Sequence, residues 1–248
     1  MRRWLFAALW LVVCFTAPAT AHAEEIRVLS VGSLQRGLER IAESFTSATG
    51  HDVVIEVGTT PVVGERLASG ETFDVVIATS AVIAEAASRG LVRRDESRLV
   101  GRVGVGIAVR SQVRADDPPG ADALRTLLVD ADTVAYNRGS SGVYARSMIE
   151  SLGISDQIRS KVNEYANGGQ VLSHVIEGTG VDLGLAPLTE IRANADRGVR
   201  LVRLPEAVQN YTSYDAAIGT NAPDAAMAFV RFLATPEARE LFADTGVE

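Results

Sequence analysis

The stretch "VLSVGSLQRGLERIAESFTSATG" at residues 28–50 joins a run of β-forming residues to a helical pattern. Apolar residues recur at helical spacing between residues 34 and 45, which predicts a helix over residues 34–48 with Ser33 as its N-cap. The preceding strand pattern covers residues 25–31, so the turn at Gly32 would leave backbone N–H groups pointing beyond the strand end. This junction is therefore a candidate binding site made of backbone and small side chains.

The alternation of strand and helix continues along the whole chain. Strand patterns occur at residues 25–31, 51–58, 73–79, 99–110, 132–137, 181–187, 198–205 and 213–220. Helical patterns occur at residues 34–48, 61–70, 81–90, 143–152, 170–177, 188–196 and, broken at Pro236, 222–246. Strands rich in Val and Ile that alternate with helices predict a mostly parallel sheet with helices on both faces. The acidic, proline-bearing segment "RADDPPGAD" predicts a surface loop.

The fold class predicted from this order is α/β with two lobes, each a mostly parallel sheet flanked by helices. Residues 24–104 would form the first part of lobe 1, residues 105–212 lobe 2, and residues 213–248 would return to lobe 1 with the C-terminal helices. Ligands of open α/β sheets bind beyond the carboxyl ends of the strands. The predicted ligand site is therefore the cleft between the lobes.

Residues 1–23 have the three parts of a secretory signal peptide, namely two arginines, an apolar core and an Ala-His-Ala ending. The alternative is a retained membrane anchor, but the apolar core at residues 4–17 is shorter than the ~20 residues that span a bilayer. The expected product is a mature chain of residues 24–248 in the periplasm, with no direct membrane insertion after cleavage.

The composition of that mature chain excludes several classes of site and partner. Cleavage removes Cys14, the single cysteine, so disulfides and cysteine-based zinc sites are excluded. The remaining 22 Lys and Arg against 31 Asp and Glu give a net charge of −9, which argues against nucleic acid or an acidic membrane surface as partner. Only His51 and His174 remain, and no HExxH, GxSxG or P-loop motif occurs. The sequence therefore predicts a binding protein rather than an enzyme, with no cofactor and no bound metal cation.

Small hydroxyl or glycine residues separate strand from helix at several places. They are the segments "VGS" at 31–33, "GTTP" at 58–61, "ATSA" at 78–81, "RGSSG" at 138–142 and "NGGQ" at 167–170. Turns of this kind lie at one edge of a parallel sheet, so two facing lobes would bring their donors together at the positive ends of helix dipoles. The pattern predicts a site for a small anion that needs no cationic side chain.

Five segments, spread over nearly the whole mature chain, match the pattern of a known family: "VGSLQRGLERIAESFTSATG", "GERLASGETFDVVIAT", "GVYARSMIESLG", "VIEGTGVDLGLA" and "AMAFVRFLATPEARELFADTG". They resemble the periplasmic molybdate-binding proteins of ABC transporters, which have the two-lobed type II solute-binding fold. The resemblance implies a monomeric receptor that closes on molybdate or tungstate and presents it to an ABC permease. The ligand-binding residues that it implies are Ser33 and Thr60 from lobe 1 and Ser141 and Gly169 or Gln170 from lobe 2. The same junctions add Gly32, Thr59 and Gly142 to the predicted site.

Two departures from the family pattern leave the ligand open. Pro187 stands where many members carry a tyrosine, and the family's Ser-Ala-Asp is replaced by residues 79–81, Thr-Ser-Ala. Arg138 would supply a compensating donor, pair with a carboxylate, or point to solvent. The alternatives are a receptor for another small anion such as an organic carboxylate, a ligand-sensing envelope protein not coupled to transport, and a hydrolase or metal-dependent enzyme.

Overall fold

The computed structural model describes residues 23–248, apart from the side chain of Arg94. The predicted signal peptide, residues 1–23, lies outside the described residues except for Ala23. The strands are β1 (Glu25–Val31), β2 (Asp52–Gly58), β3 (Val75–Thr79), β4 (Arg98–Arg110), β5 (Thr133–Asn137), β6 (Val162–Tyr165), β7 (Asp182–Pro187), β8 (Val199–Arg203) and β9 (Tyr211–Ile218).

Helices connect most of these strands. They are α1 (Gln35–Thr49), α2 (Thr60–Ala68), α3 (Ser80–Ser88), α4 (Ala121–Asp130), α5 (Ser140–Ser151), α6 (Ser155–Ile158), α7 (Gly168–Glu177), α8 (Leu188–Ala193), α9 (Asp224–Leu233) and α10 (Pro236–Thr245). Short 3-10 turns occur between them, the first at Gly32–Leu34. Within residues 23–248, none of the helices is long and apolar enough to cross a membrane.

The strands form one sheet in the order β2-β1-β3-β9-β4-β7-β5-β6, with β8 paired to β4. Strand β1 is parallel to β2 and β3, and β5 is parallel to β6 and β7, because helices provide the crossovers between them. The long strands β4 and β9 run antiparallel to each other and to their other neighbours. The α/β fold class is confirmed, with antiparallel strands at the centre.

Separate hydrophobic cores lie at the two ends of this sheet. One core draws its buried residues from 26–103 and 214–247, and includes Phe45 and Phe229 in edge-to-face contact at 5.1 Å. Buried residues 105–204 form two further clusters. Strand β4 passes from one end to the other, since Val103 belongs to the first core and Val105 to the second.

Three elements were missing from the sequence prediction: α4, α6 and β6. The acidic loop continues only to Gly120, after which α4 buries Leu124 and Leu128 one turn apart. Strand β6 is only four residues long, and none of its side chains is fully buried, so it carries little hydrophobic signal.

The starts of α1 and α2 are each shifted by one residue from the prediction, which changes the role of two predicted hydroxyl groups. Ser33 is not an N-cap: it is buried in the 3-10 turn, and Leu34 precedes α1 without a side-chain bond. Helix α2 has Thr59 as its N-cap residue, so Thr60 is already helical and Pro61 follows in the first turn. The hydroxyl groups of Ser33 and Thr60 therefore do not cap a helix.

Candidate functional site

Several strand-to-helix junctions open into one cavity of about 670 Å³. Six of the nine site residues predicted from the sequence line it: Gly32, Ser33, Thr59, Thr60, Ser141 and Gly169. Other lining residues come from the loop after β5, the start of α7, the start of α8 and strand β9: Asn137, Gly139, Ser140, Asn167, Gly168, Pro187, Thr189, Glu190 and Tyr214. The cavity therefore takes its walls from both ends of the sheet.

The other three predicted residues do not line the cavity. Gly142 packs against the end of β5, where a Cβ would overlap the backbone carbonyl of Asn137. The Gln170 side chain accepts a hydrogen bond from the backbone N–H of Ala166 at 3.0 Å and borders a separate pocket. Arg138 is exposed and donates to Glu164 at 3.2 Å, so it lies at the surface outside the cavity wall, where it pairs with a residue of the chain itself.

Helices α2, α5 and α7 all begin at the cavity wall. Their first residues, Thr60, Ser140 and Gly168, are lining residues. The first backbone N–H groups of a helix have no partner within the helix, and the helix dipole makes this end attractive to anions. Three such ends around one volume favour a ligand with negative charge.

Two asparagines fix the conformation of the second wall of the cavity, the one formed by residues 105–212. The buried Asn137 side chain accepts from the backbone N–H of Gly139 at 2.6 Å and donates to the Ser141 hydroxyl at 3.4 Å. Asn167 caps α7 by accepting from the backbone N–H of Gln170 at 3.0 Å. The glycine and serine donors of this wall are therefore held in place by packed polar contacts.

Tyr214 provides a phenol that the sequence did not predict. The buried Ser33 hydroxyl donates to the Tyr214 hydroxyl at 3.0 Å. Burial raises the pKa of Tyr214, and hydrogen bonds with Ser33, Ser140 and Thr212 lower it only in part. The phenol is thus neutral and keeps its own proton for donation. The pairing joins residues 181 positions apart, and it depends on the antiparallel register that sets Thr79 opposite Tyr214.

Glu190 was also missed, and its carboxyl group lies inside the cavity. Its Oε1 would be 3.3 Å from a Cβ on Gly32, and its Oε2 would overlap a Cβ on Gly168. Burial raises the pKa of Glu190 to about 7. No sequence signal marks a glutamate in the first turn of a helix as buried, since acidic residues are common there.

The charged groups of the cavity wall are few. Among the described residues, Arg36 is the one Lys or Arg side chain that lines it, and Glu39 joins Glu190 as the acidic ones. Both Arg36 and Glu39 project from α1 and are exposed. In residues 23–248 there is no group of three or more His, Cys, Asp or Glu side chains that could hold a metal ion. Most of the polar groups at the wall are thus neutral donors.

The chain is similar in sequence to an enzyme and in fold to binding proteins. Aconitate isomerase from Pseudomonas sp is 26% identical over 234 residues, which cover 90% of this chain and 87% of that protein. The periplasmic molybdate-binding protein of Azotobacter vinelandii has a TM-score of 0.75 at 17% identity, over 90% of this chain and 98% of that one. The sulfate-binding protein SubI from Mycobacterium tuberculosis has a TM-score of 0.74 at 18% identity, over 91% of this chain and 86% of that one.

The likeness to molybdate-binding periplasmic proteins is therefore confirmed for the fold, while the aconitate isomerase leaves enzymatic activity open. The family model described as bacterial extracellular solute-binding protein matches residues 26–248. This match spans both cores and every residue of the cavity wall. The chain belongs to the bacterial extracellular solute-binding protein family.

Proposed function

We propose that this chain is the periplasmic receptor of an ABC transporter and that it captures a small organic carboxylate by closing two lobes. The first lobe would be residues 24–104 with 213–248, and the second residues 105–212. The observation that carries the proposal is the cavity itself, whose donors come from both lobes. A ligand that bonds to both walls at once favours the closed form, because only that form offers all the donors together.

The donor set is sufficient for useful affinity. The proposed ligand contacts are the hydroxyls of Thr60, Ser141 and Tyr214 and the first two backbone N–H groups of α7, while the Ser33 hydroxyl donates to Tyr214. Hydrogen bonds to a charged group contribute ~1.5 to 3 kcal/mol each. Five of them contribute ~7.5 to 15 kcal/mol together, against the ~8 kcal/mol that micromolar binding requires, so bonds of average strength leave a margin for lobe closure.

Two considerations favour an organic acid over a tetrahedral oxyanion. The relative with the higher identity, at 26%, is named for aconitate, an unsaturated tricarboxylate, whereas the molybdate- and sulfate-binding structures are 17% and 18% identical. The cavity of about 670 Å³ also lies in the range of sites that hold organic ligands. Molybdate or tungstate stays the competing proposal, favoured by the three hydroxyls of Ser33, Thr60 and Ser141.

Isothermal titration of residues 24–248 tests the ligand class. The ligands are tricarballylate, citrate, molybdate, tungstate and sulfate, and we expect heat from the two carboxylates. Thr60→Ala should weaken tricarballylate binding about tenfold, the loss of one charge-assisted hydrogen bond. The matched control is Thr72→Ala, an exposed threonine away from the cavity. Heat from molybdate and tungstate alone would replace the organic acid with the oxyanion.

A second candidate function is isomerisation of bound aconitate, favoured by the position of Glu190 in the cavity. As a carboxylate, Glu190 would take a proton from the CH₂ next to the carbon–carbon double bond. The allylic anion would then accept a proton at its other end, which moves the double bond without any net change in composition. A group with a pKa of about 7 is suited to both steps at neutral pH.

Proton NMR in D₂O tests this second candidate with cis-aconitate as substrate. We expect trans-aconitate with deuterium at the carbon that receives the proton, and no conversion with Glu190→Gln. If neither conversion nor deuterium incorporation occurs above the rate without protein, the isomerase candidate fails and the receptor remains.

A further inference from the structure

The Glu190 carboxyl group lies at the cavity, between the turn after β1 and the start of α7. Oε1 faces Gly32 on one wall, and Oε2 is packed against Gly168 at the start of α7 on the other. Among the described residues, none forms a hydrogen bond with either oxygen, whereas the neighbouring Thr189 hydroxyl is engaged. The Thr189 hydroxyl donates to the backbone carbonyl of Ser33 at 2.6 Å, which ties α8 to the turn after β1. Glu190 therefore follows an anchored residue, while its own carboxyl group has no hydrogen-bond partner among the described residues.

The surroundings of this carboxyl group are nearly free of charge. Strands β4 and β8 pack against α8 through glycine and aliphatic side chains, and the Gly32–Leu34 turn and the start of α7 contribute uncharged residues. The charged residues of β4, β7, β8 and the turn at 195–197 do not line the cavity: Arg102, Arg110 and Arg200 contact Glu248, Gly178 and Val113. Helix α10 contributes Thr245 to the cavity, and Arg192 of α8 itself points to Gly246 after α10. The titratable groups that share the cavity are Tyr214 from β9 and, at the rim, Arg36 and Glu39 from α1.

The pKa of Tyr214 depends on the charge of Glu190. A negative charge on Glu190 contributes to the raised pKa of Tyr214, whereas loss of water is the cause of the raised pKa of Glu190 itself. Lacking a cation beside it, an ionised Glu190 would repel a ligand carboxylate in the same volume. A neutral Glu190 would instead donate its O–H to that carboxylate and form a short, charge-assisted hydrogen bond.

We propose that Glu190 binds the ligand directly in its protonated form, so that capture of a polycarboxylate anion by this cleft takes up one proton. The inference rests on the proposed function, because it assigns a residue and a protonation state to the same site. The ligand class that fits is an anion with a carboxylate oxygen free to accept from Glu190. Binding then depends on the fraction of free protein in which Glu190 carries a proton.

Titration calorimetry with tricarballylate in buffers of different ionisation enthalpy measures this proton. In Tris and HEPES at pH 8 we expect uptake of about 0.9 proton per ligand bound, because a group with a pKa of about 7 is largely ionised there. The apparent dissociation constant should rise about fiftyfold between pH 7 and pH 9. Over this range the carboxyl groups of tricarballylate itself stay ionised.

The variant Glu190→Gln removes the negative charge of the side chain and keeps its size and shape. Its amide is neutral at every pH and keeps a donor at the same place, so proton uptake should vanish and affinity should stay constant from pH 7 to 9. At pH 9 the variant should therefore bind more tightly than the wild type. The matched control is Glu39→Gln, at the rim of the same cavity, where the side chain accepts from Gln35 at 2.8 Å. It should keep the proton uptake of the wild type.

The outcomes distinguish this inference from the proposed function. Heat of binding without proton uptake in the wild type would overturn the role of Glu190 and leave the receptor for carboxylates intact. A folded Glu190→Gln variant that no longer binds would also overturn it, since a charged carboxylate would then be required. Absence of heat from tricarballylate and citrate in both proteins would reject the proposed function, and the inference with it.

Discussion

At the scale of single residues, the hydroxyl of Tyr214 is the contact whose removal is cleanest to interpret. Ser33 donates to it inside the protein, and Tyr214 keeps its own proton. Tyr214→Phe should lower the free energy of unfolding by about 1 kcal/mol, because the buried Ser33 hydroxyl loses its acceptor. It should also weaken tricarballylate binding several-fold. Urea unfolding and titration calorimetry measure the two effects.

The control for this substitution lies on the same strand. Tyr211→Phe removes a hydroxyl from a residue that is 37% exposed and that lies outside the cavity wall. It should change neither stability nor binding. Equal losses in both variants would show that the Ser33–Tyr214 hydrogen bond has no special role.

Two arginines offer a second comparison between single residues. Arg36 lines the cavity, whereas Arg138 forms an exposed ion pair with Glu164. Arg36→Gln should weaken tricarballylate binding by about three- to tenfold, with a smaller salt dependence, because a cation at the rim attracts the anion through solvent. Arg138→Gln should bind as the wild type does. The reverse order, measured at two salt concentrations, would restore Arg138 as the carboxylate partner.

At the scale of elements, the position of the Glu190 carboxyl group depends on the absence of a side chain at Gly168, the first residue of α7. Gly168→Ala places a methyl group where Oε2 now lies, and the flexible end of Glu190 must move away. We expect little change in stability but at least a tenfold loss of tricarballylate affinity, because the carboxyl group leaves its place beside Gly168. Gly64→Ala in α2, with open space around its Cβ position, is the control and should bind normally. Unchanged affinity in Gly168→Ala would contradict this position for Glu190.

The sequence predicted where the strand-to-helix junctions lie better than it predicted which of their residues line the cavity. Hydrophobic periodicity located β1, α1, β2 and α2 to within a few residues, and with them the glycine and hydroxyl positions of the wall. The sequence did not show which glycines line the cavity and which allow close packing. Gly142 lies in the predicted motif, yet it serves the packing of α5 on β5, and nothing local distinguishes it from Gly169 at the cavity.

The residues that the sequence did not reveal are those that act over long separations. Tyr214 reaches Ser33 only because β9 returns to pair with β3. The carboxyl group of Glu190 fits into the cavity only because Gly32 and Gly168 leave room for it from two different parts of the chain. Such positions follow from strand order and register, for which the periodicity of a single segment carries no information.

At the scale of the whole molecule, the raised pKa of Glu190 predicts a pH dependence of stability. The pKa moves from 4.5 to about 7 on folding, so the unfolded chain ionises first as pH rises. The free energy of unfolding therefore falls between about pH 4.5 and pH 7, and the loss is complete above pH 7. Glu190→Gln should remove this loss and be more stable at pH 8, by up to about 3 kcal/mol.

Urea unfolding of both proteins at pH 5 and pH 8 checks this prediction. The difference between variant and wild type should be small at pH 5 and large at pH 8. A constant difference at both pH values would mean that Glu190 ionises as freely in the folded protein as in the unfolded chain.

Closure of two lobes over one anion is tested most directly by small-angle X-ray scattering. The radius of gyration of residues 24–248 is measured at pH 7 with and without saturating tricarballylate, and with sulfate as the reference anion. We predict a smaller radius with tricarballylate and no change with sulfate, because only a ligand that bonds to both walls favours the closed form. The same radius in all three samples, when calorimetry shows tricarballylate bound, would contradict capture by lobe closure.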